Sequence, residues 1–176
     1  MSKTKKMILS ALLLALTIVL SRFLSINTTY LVIGFSFAPI AITGYLLGPK
    51  YAAIVSGLAD LIGAILFPFG PYFIGFTISA LIRGLIFGLI LYKKEGEHKN
   101  KELIIRIIIA CFIELLFIDI LMNGLWLKII YKEAFLAVIS TRIVEQSIMF
   151  PVQVITIFTL IKALQPIIKR YLYQEE

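Results

Sequence analysis

The sequence has little charge, one cysteine and one histidine. Only 15% of its 176 residues are charged, against about 25% in an ordinary soluble domain. Hydrophobic residues make up 60%, and the mean hydropathy is +0.99. A soluble domain of this size cannot bury so much apolar surface, so soluble and disordered classes are excluded. The lone Cys111 excludes an internal disulfide, and with it a disulfide-built secreted module. It lies in an apolar run and reads as a small buried hydrophobe. The lone His98 sits in a hydrophilic linker, so no Cys/His metal site can form. No HExxH, GxSxG or GxxxxGK occurs; Gly34-Phe35-Ser36-Phe37-Ala38 lacks the final glycine. Catalytic chemistry and P-loop use of ATP therefore find no support, and no cofactor is implied. Asn27-Thr28-Thr29 matches a glycosylation sequon, a pattern of little specificity.

What is present is a series of long apolar runs. One crossing of the hydrocarbon core takes about 20 helical residues, so the length allows about six spans. The expected fold is all-α and integral to the membrane, one domain over residues 1–176. The six transmembrane helices are expected at about 7–24, 33–47, 51–67, 72–92, 103–127 and 136–164. The first run is no signal peptide: no small-x-small site closes it, and Arg22 and Phe23 follow directly. Pro39 predicts a kinked or broken second helix. Gly48-Pro49-Lys50 and Pro68-Phe69-Gly70-Pro71 read as turns. Pro151 interrupts the sixth run, and a polar, amphipathic tail follows from Pro166.

Lys and Arg positions give the orientation. With both termini cytoplasmic, the inner side holds Lys3, Lys5, Lys6, Lys50, Lys93, Lys94, Lys99, Lys101, Arg106, Lys162, Lys169 and Arg170. The outer side holds only Lys128 and Lys132. The net charge of +7 thus reports topology, and nucleic acid is not an expected partner. The expected location is the cell membrane, as a multi-pass protein.

Seven ionisable residues fall inside the runs: Arg22, Arg83, Arg142, Asp60, Glu114, Asp119 and Glu145. Such residues are costly in a bilayer and face the bundle interior or a polar cavity. At about 1.5 Å per helical residue, Arg83 lies roughly 18 Å below Pro71 and Asp60 roughly 15 Å from Lys50. An Asp60–Arg83 ion pair that fixes helix packing is one reading. Arg22 and Arg142, near helix ends, could snorkel to the outer interface. Spacing supports another reading. Asp119, Met122, Asn123 and Trp126 share a helical face, as do Arg142, Glu145, Gln146, Met149 and Gln153. Phe76, Ser79, Ala80, Arg83 and Phe87 line a third stripe. Three helices thus present polar and aromatic groups to one another, which suits a pocket for a flat, polar, partly anionic molecule. A satisfied polar core that only specifies packing is the alternative. Ala11 and Ala15, and Ala80, Gly84 and Gly88, form small-xxx-small stripes that let helices approach closely.

Several segments carry a resemblance: Arg22–Ile26 (RFLSI), Gly34–Pro49, Asp60–Gly63, Phe67–Tyr92, Asn123–Leu127 (NGLWL) and Arg142–Gln153. In this order the chain resembles the substrate-binding S components of energy-coupling factor (ECF) vitamin transporters, and among them the folate family. The resemblance implies a six-helix S-component bundle with a pocket near the outer face. It implies that Ala11 and Ala15 meet a transmembrane coupling subunit, and that two cytoplasmic ATPases complete the complex. Vitamin capture outside, followed by toppling of the subunit within the membrane, would be the mechanism. Binding would belong to this chain and energy to its partners; it would not be an enzyme.

One departure stands out. Glu145-Gln146 follows the arginine of the last helix, where the family usually carries a base and then an amide. Three arginines then face four acids. In the resulting hypothesis Arg22 and Arg142 meet the carboxylates of folate, with Arg83 deeper in the site. Tyr72, Phe76 and Trp126 stack on its rings. Asp119, Asn123 or Glu145, beside Gln146, read the donor edge of the pterin. The rivals are an S component for another vitamin, such as riboflavin or thiamine, and a ligand-free assembly subunit.

Overall fold

The computed structural model describes residues 1–27, 32–93, 99–131 and 135–172. Lys94, His98, Lys132 and the Thr28-Thr29 part of the sequon lie outside these residues. Helix α1 (Lys3–Arg22) starts at Ser2, whose Oγ accepts a hydrogen bond from the Lys5 amide at 3.3 Å. The chain then forms a short antiparallel pair, β1 (Ile26–Asn27) with β2 (Val32–Ile33). Six helical rods in all make up the described residues: α1, α2 (Phe37–Leu47), α3 (Pro49–Leu66), α4 (Ile74–Leu91), a continuous fifth rod and α7 (Phe135–Leu172). The fifth rod runs through α5 (Asn100–Ile113), a π-helical stretch (Glu114–Met122) and α6 (Asn123–Tyr131).

Helices α1, α3, α4 and the Arg142–Ile167 part of α7 are long and apolar enough to cross a membrane. Helix α2 is shorter. Its 11 residues cover only about 16 Å. The second span therefore differs from the sequence expectation. Residues 33–36 are strand and bend, and the helix begins at Phe37. Pro39 does not kink it. It lies in the first turn, where its missing N–H has no intrahelical partner to lose. Pro151 and Pro166 likewise lie inside a continuous α7. Neighbouring helices and local adjustments can re-satisfy a carbonyl freed by proline in a membrane bundle.

The α2–α3 junction is a single residue. Gly48 has φ +87°, a left-handed conformation that side chains rarely adopt, and Pro49 opens α3 directly after it. This fold-back brings α2 and α3 against α4. A Cβ on Gly44 would lie 2.8 Å from the Gly88 nitrogen, and one on Gly84 would strike the Ala52 carbonyl. The Ala80–Gly84–Gly88 stripe is therefore internal packing, buried along α4. Ala11 and Ala15 are different: both are exposed on α1, where only Leu13 and Thr17 are buried.

An apolar core of Phe37, Ile40, Phe87, Leu91, Leu103, Ile107 and Ile161 closes one end of the bundle. The polar residues gather away from it, where α2 is short and the walls are set by α3, α4 and the last two rods. Overpacking at a backbone contact of this kind costs about 1–3 kcal/mol. Gly84→Ala is accordingly expected to lower the thermal unfolding temperature in detergent well below that of Ala11→Gly. Equal unfolding temperatures would contradict the contact.

Candidate functional site

Two buried polar clusters face a common cavity of about 620 Å³. That volume lies within the range of small-molecule sites, roughly 300–1,000 Å³. The first cluster is built on the last residue of α1. Arg22 reaches over α3, where Gly63 leaves room: a Cβ there would lie 2.6 Å from the Arg22 Nε. Its NH1 donates to the Phe67 carbonyl at 3.4 Å and its NH2 to the Asp60 carbonyl at 3.5 Å. NH2 also lies 3.9 Å from the Asp60 carboxylate. The Phe69 ring covers the guanidinium at 5.2 Å. Thr77 Oγ1 donates to Asp60 Oδ2 at 2.7 Å, and Tyr72 Oη lies 3.0 Å from Thr77 Oγ1. This chain of contacts ties α1, α3, α4 and the Pro68–Phe73 connection together.

The second cluster centres on Asp119. Its Oδ1 accepts from Arg83 NH2 at 2.7 Å and from Asn123 Nδ2 at 3.3 Å. Its backbone carbonyl accepts from Arg142 NH1 at 3.4 Å. Glu114 Oε1 lies 2.7 Å from Arg83 Nε. Glu114 and Asp119 are five residues apart, which on an α-helix is about 140° around the axis. The π-helical stretch reduces that offset. Its i→i+5 hydrogen-bond pattern brings positions five apart toward one side, as the Asn123 amide bonding to the Ile118 carbonyl shows. Arg83 is thus held between two acids from one helix.

Helix α7 supplies the facing wall. Arg142, Glu145, Gln146, Met149 and Gln153 are all buried and all line the cavity. Ile143, Val144, Ile148 and Ile155 on the other side are exposed. Phe69, Tyr72, Phe73 and Phe76 contribute aromatic surface. Three arginines and four acids line the wall, counting Arg22, Arg83, Arg142, Asp60, Glu114, Asp119 and Glu145. Their pairing leaves specific atoms unbonded: Arg22 Nε, Arg83 Nε, Arg142 Nε, Glu114 Oε2 and Asn123 Oδ1 are buried without a hydrogen-bond partner. A cavity lined by arginines, acids, amides and aromatic rings is equipped to hold a polar, planar ligand.

Residues 1–166 match the family model for the ECF-type riboflavin transporter S component. The chain belongs to the ECF S-component family. It is 39% identical to a folate transporter, FolT, of Clostridium novyi (strain NT) over 158 residues, covering 90% of this chain and 88% of that protein. It is 35% identical to a FolT of Leuconostoc mesenteroides subsp. mesenteroides, covering 86% of this chain and 81% of that protein. A crystal structure of FolT bound with folic acid superposes with a TM-score of 0.80 at 36% identity, over 89% of this chain and 92% of that one.

In this S component the structure gathers nine sequence-predicted residues at the cavity: Arg22, Tyr72, Phe76, Arg83, Asp119, Asn123, Arg142, Glu145 and Gln146. Trp126 differs from expectation. It is half-buried, packs on Phe73 at 5.5 Å and donates from Nε1 to Ser79 Oγ at 3.0 Å, and does not line the wall. Gly75 makes room for it. The Asp60–Arg83 pair is not formed: Asp60 bonds Arg22 and Thr77, while Arg83 takes Glu114 and Asp119. Arg142 reaches the buried Asp119 carbonyl, and Arg22 bridges the Asp60 and Phe67 carbonyls at the end of α3. Sequence spacing missed Glu114 and Asp60 as cavity residues because α-helical periodicity put Glu114 off the Asp119 stripe. Their signal was the presence of an acid inside an apolar run.

Removing one partner of a buried ion pair costs about 3–5 kcal/mol. Asp119→Ala, which strands buried Arg83, is expected to destabilise the protein more than Asp60→Ala, whose carboxylate is 25% exposed. Chemical unfolding in detergent measures the difference, and the reverse order would refute the central role of Asp119.

Proposed function

We propose that this S component binds folate and serves as the capture subunit of an ATP-driven ECF uptake transporter. The observation that carries the reading is the cavity wall, which three arginines share with four acids and the rings of Phe69, Tyr72, Phe73 and Phe76. The likeness to FolT bound with folic acid, at 36% identity over most of both chains, supports it. Arg22 and Arg142 receive the ligand's carboxylates, since Arg83 is taken by two acids. Phe76 and Tyr72 stack on its rings. Asn123 Oδ1, with Asp119, Glu145 and Gln146 nearby, accepts from the amino and N–H edge of the pterin. Trp126 acts from behind the wall through Ser79 and reports on occupancy.

The N- and C-termini lie in the cytoplasm, following the Lys/Arg distribution. The exposed Ala11–Ala15 stripe of α1 docks on a transmembrane coupling subunit. Two cytoplasmic ATPases supply the energy, and the subunit topples in the membrane to deliver its ligand. Riboflavin is the second reading. The family model bears its name, and a wall with one more acid than arginine suits a ligand without carboxylates.

Titration of the purified chain with folic acid and riboflavin, followed by Trp126 fluorescence, separates the two. Folic acid is expected to quench and riboflavin to leave no saturable response; the opposite result reverses the assignment. Arg142→Ala and Arg22→Ala are each expected to weaken folic acid binding by about 10- to 100-fold, the worth of a charge-assisted hydrogen bond. Unchanged affinity in both would eliminate the carboxylate roles. Ala11→Leu with Ala15→Leu should abolish co-purification with the coupling subunit and leave ligand affinity as it was.

A further inference from the structure

The clamp on Arg83 has two jaws, and the ligand reading uses neither of them fully. Asp119 accepts from NH2 at 2.7 Å, and a Glu114 oxygen lies 2.7 Å from Nε as an ion-pair contact without hydrogen-bond geometry. Nε is itself buried, so NH1 is the nitrogen in neither contact. Arg83 lines the cavity and its side chain is 22% exposed, whereas Glu114 is 1% exposed. Glu114 sits at the start of the π-helical stretch, with its second oxygen buried and without a hydrogen-bond partner. A buried carboxylate with an unbonded oxygen is costly, as is a departure from α-helical geometry. A purely structural ion pair could be built with Asp119 alone, in an unbroken α-helix.

We propose that Glu114 is a positioning residue: with Asp119 it locks the Arg83 guanidinium edge-on, so that NH1 alone is presented to the ligand. A guanidinium held by one acid can rotate about that contact and turn its flat fork toward the cavity. Held by two, it cannot. The pinned arginine offers a single donor at a fixed place, suited to a neutral carbonyl or ring nitrogen and not to bidentate capture of a carboxylate. The π-helical stretch is the device that makes this possible, because it brings the two acids to the same arginine. This inference rests on the binding reading above for its consequence in affinity, but its geometric content is independent of which ligand binds.

The test separates reach from charge. Glu114→Gln keeps an oxygen at the same distance without the charge, while Glu114→Asp keeps the charge and withdraws it by one methylene. Two measurements are made on the full chain in detergent: the rate of phenylglyoxal modification at Arg83, read by peptide mass spectrometry, and folic acid affinity. Positioning predicts that Glu114→Gln resembles the wild type in both. Glu114→Asp should then modify faster at Arg83 and bind folic acid about tenfold more weakly or worse. If Glu114→Asp behaves as wild type and Glu114→Gln does not, charge balance is the role and the proposal is overturned. Equal behaviour of the two variants, whether both intact or both impaired, overturns it as well. Should the wild type fail to bind folic acid, the folate reading falls, and Arg83 reactivity still decides the role of Glu114.

Discussion

The ion cluster around Arg83 holds the polar half of this protein together. Membrane helices gain no hydrophobic drive from associating in lipid, so close packing and buried polar contacts must carry the interaction. Arg83 on α4 draws in Glu114 and Asp119 from the fifth rod. Asp119 in turn holds Asn123 and receives Arg142 from α7. Three rods thereby meet at one residue, Asp119. The cavity exists because these groups are held apart from the apolar core and cannot collapse onto one another without losing a partner.

The other half is held by shape. Gly48 folds α2 back onto α3, and Gly44, Gly84 and Gly88 allow backbone contact with α4. That tight three-helix wall contains almost no side-chain bulk at its seam. It contrasts with α1, whose apolar face is largely exposed and which is anchored at its end by Arg22. This helix packs along α3 and α2 and is fastened at one end by a polar clasp next to the cavity. The arrangement puts a cavity-lining arginine and the exposed Ala11–Ala15 stripe on the same helix.

Charge within the cavity is arranged by pairing more than by sum. Four acids and three arginines suggest an acidic site. The contacts assign those charges unequally: Arg83 meets two acids, Glu114 and Asp119, while Arg22 meets Asp60 alone among the described residues. The charge at the wall is therefore local, because a group already paired has little more to give.

Much was legible in the sequence because bilayer physics constrains it tightly. Apolar runs of fixed length, separated by turn residues and by one basic linker, specify six helical rods. The α7 stripe from Arg142 to Gln153 could be read at helical spacing because that helix is regular across it. Other features depended on the tertiary structure. Pro39 fell in a first turn, since the chain before it pairs as a strand. Asp60 and Arg83 sit at similar depth yet take different partners, because Arg22 reaches over Gly63 and the π-helical stretch turns two acids toward α4. Trp126 lies behind the wall because it packs on Phe73 and bonds Ser79 of α4. Local composition and period determine which segments form helices and which residues lie deep; the partner of each buried charge is decided only when the helices pack, because that choice depends on rotation about each axis and on distances between rods.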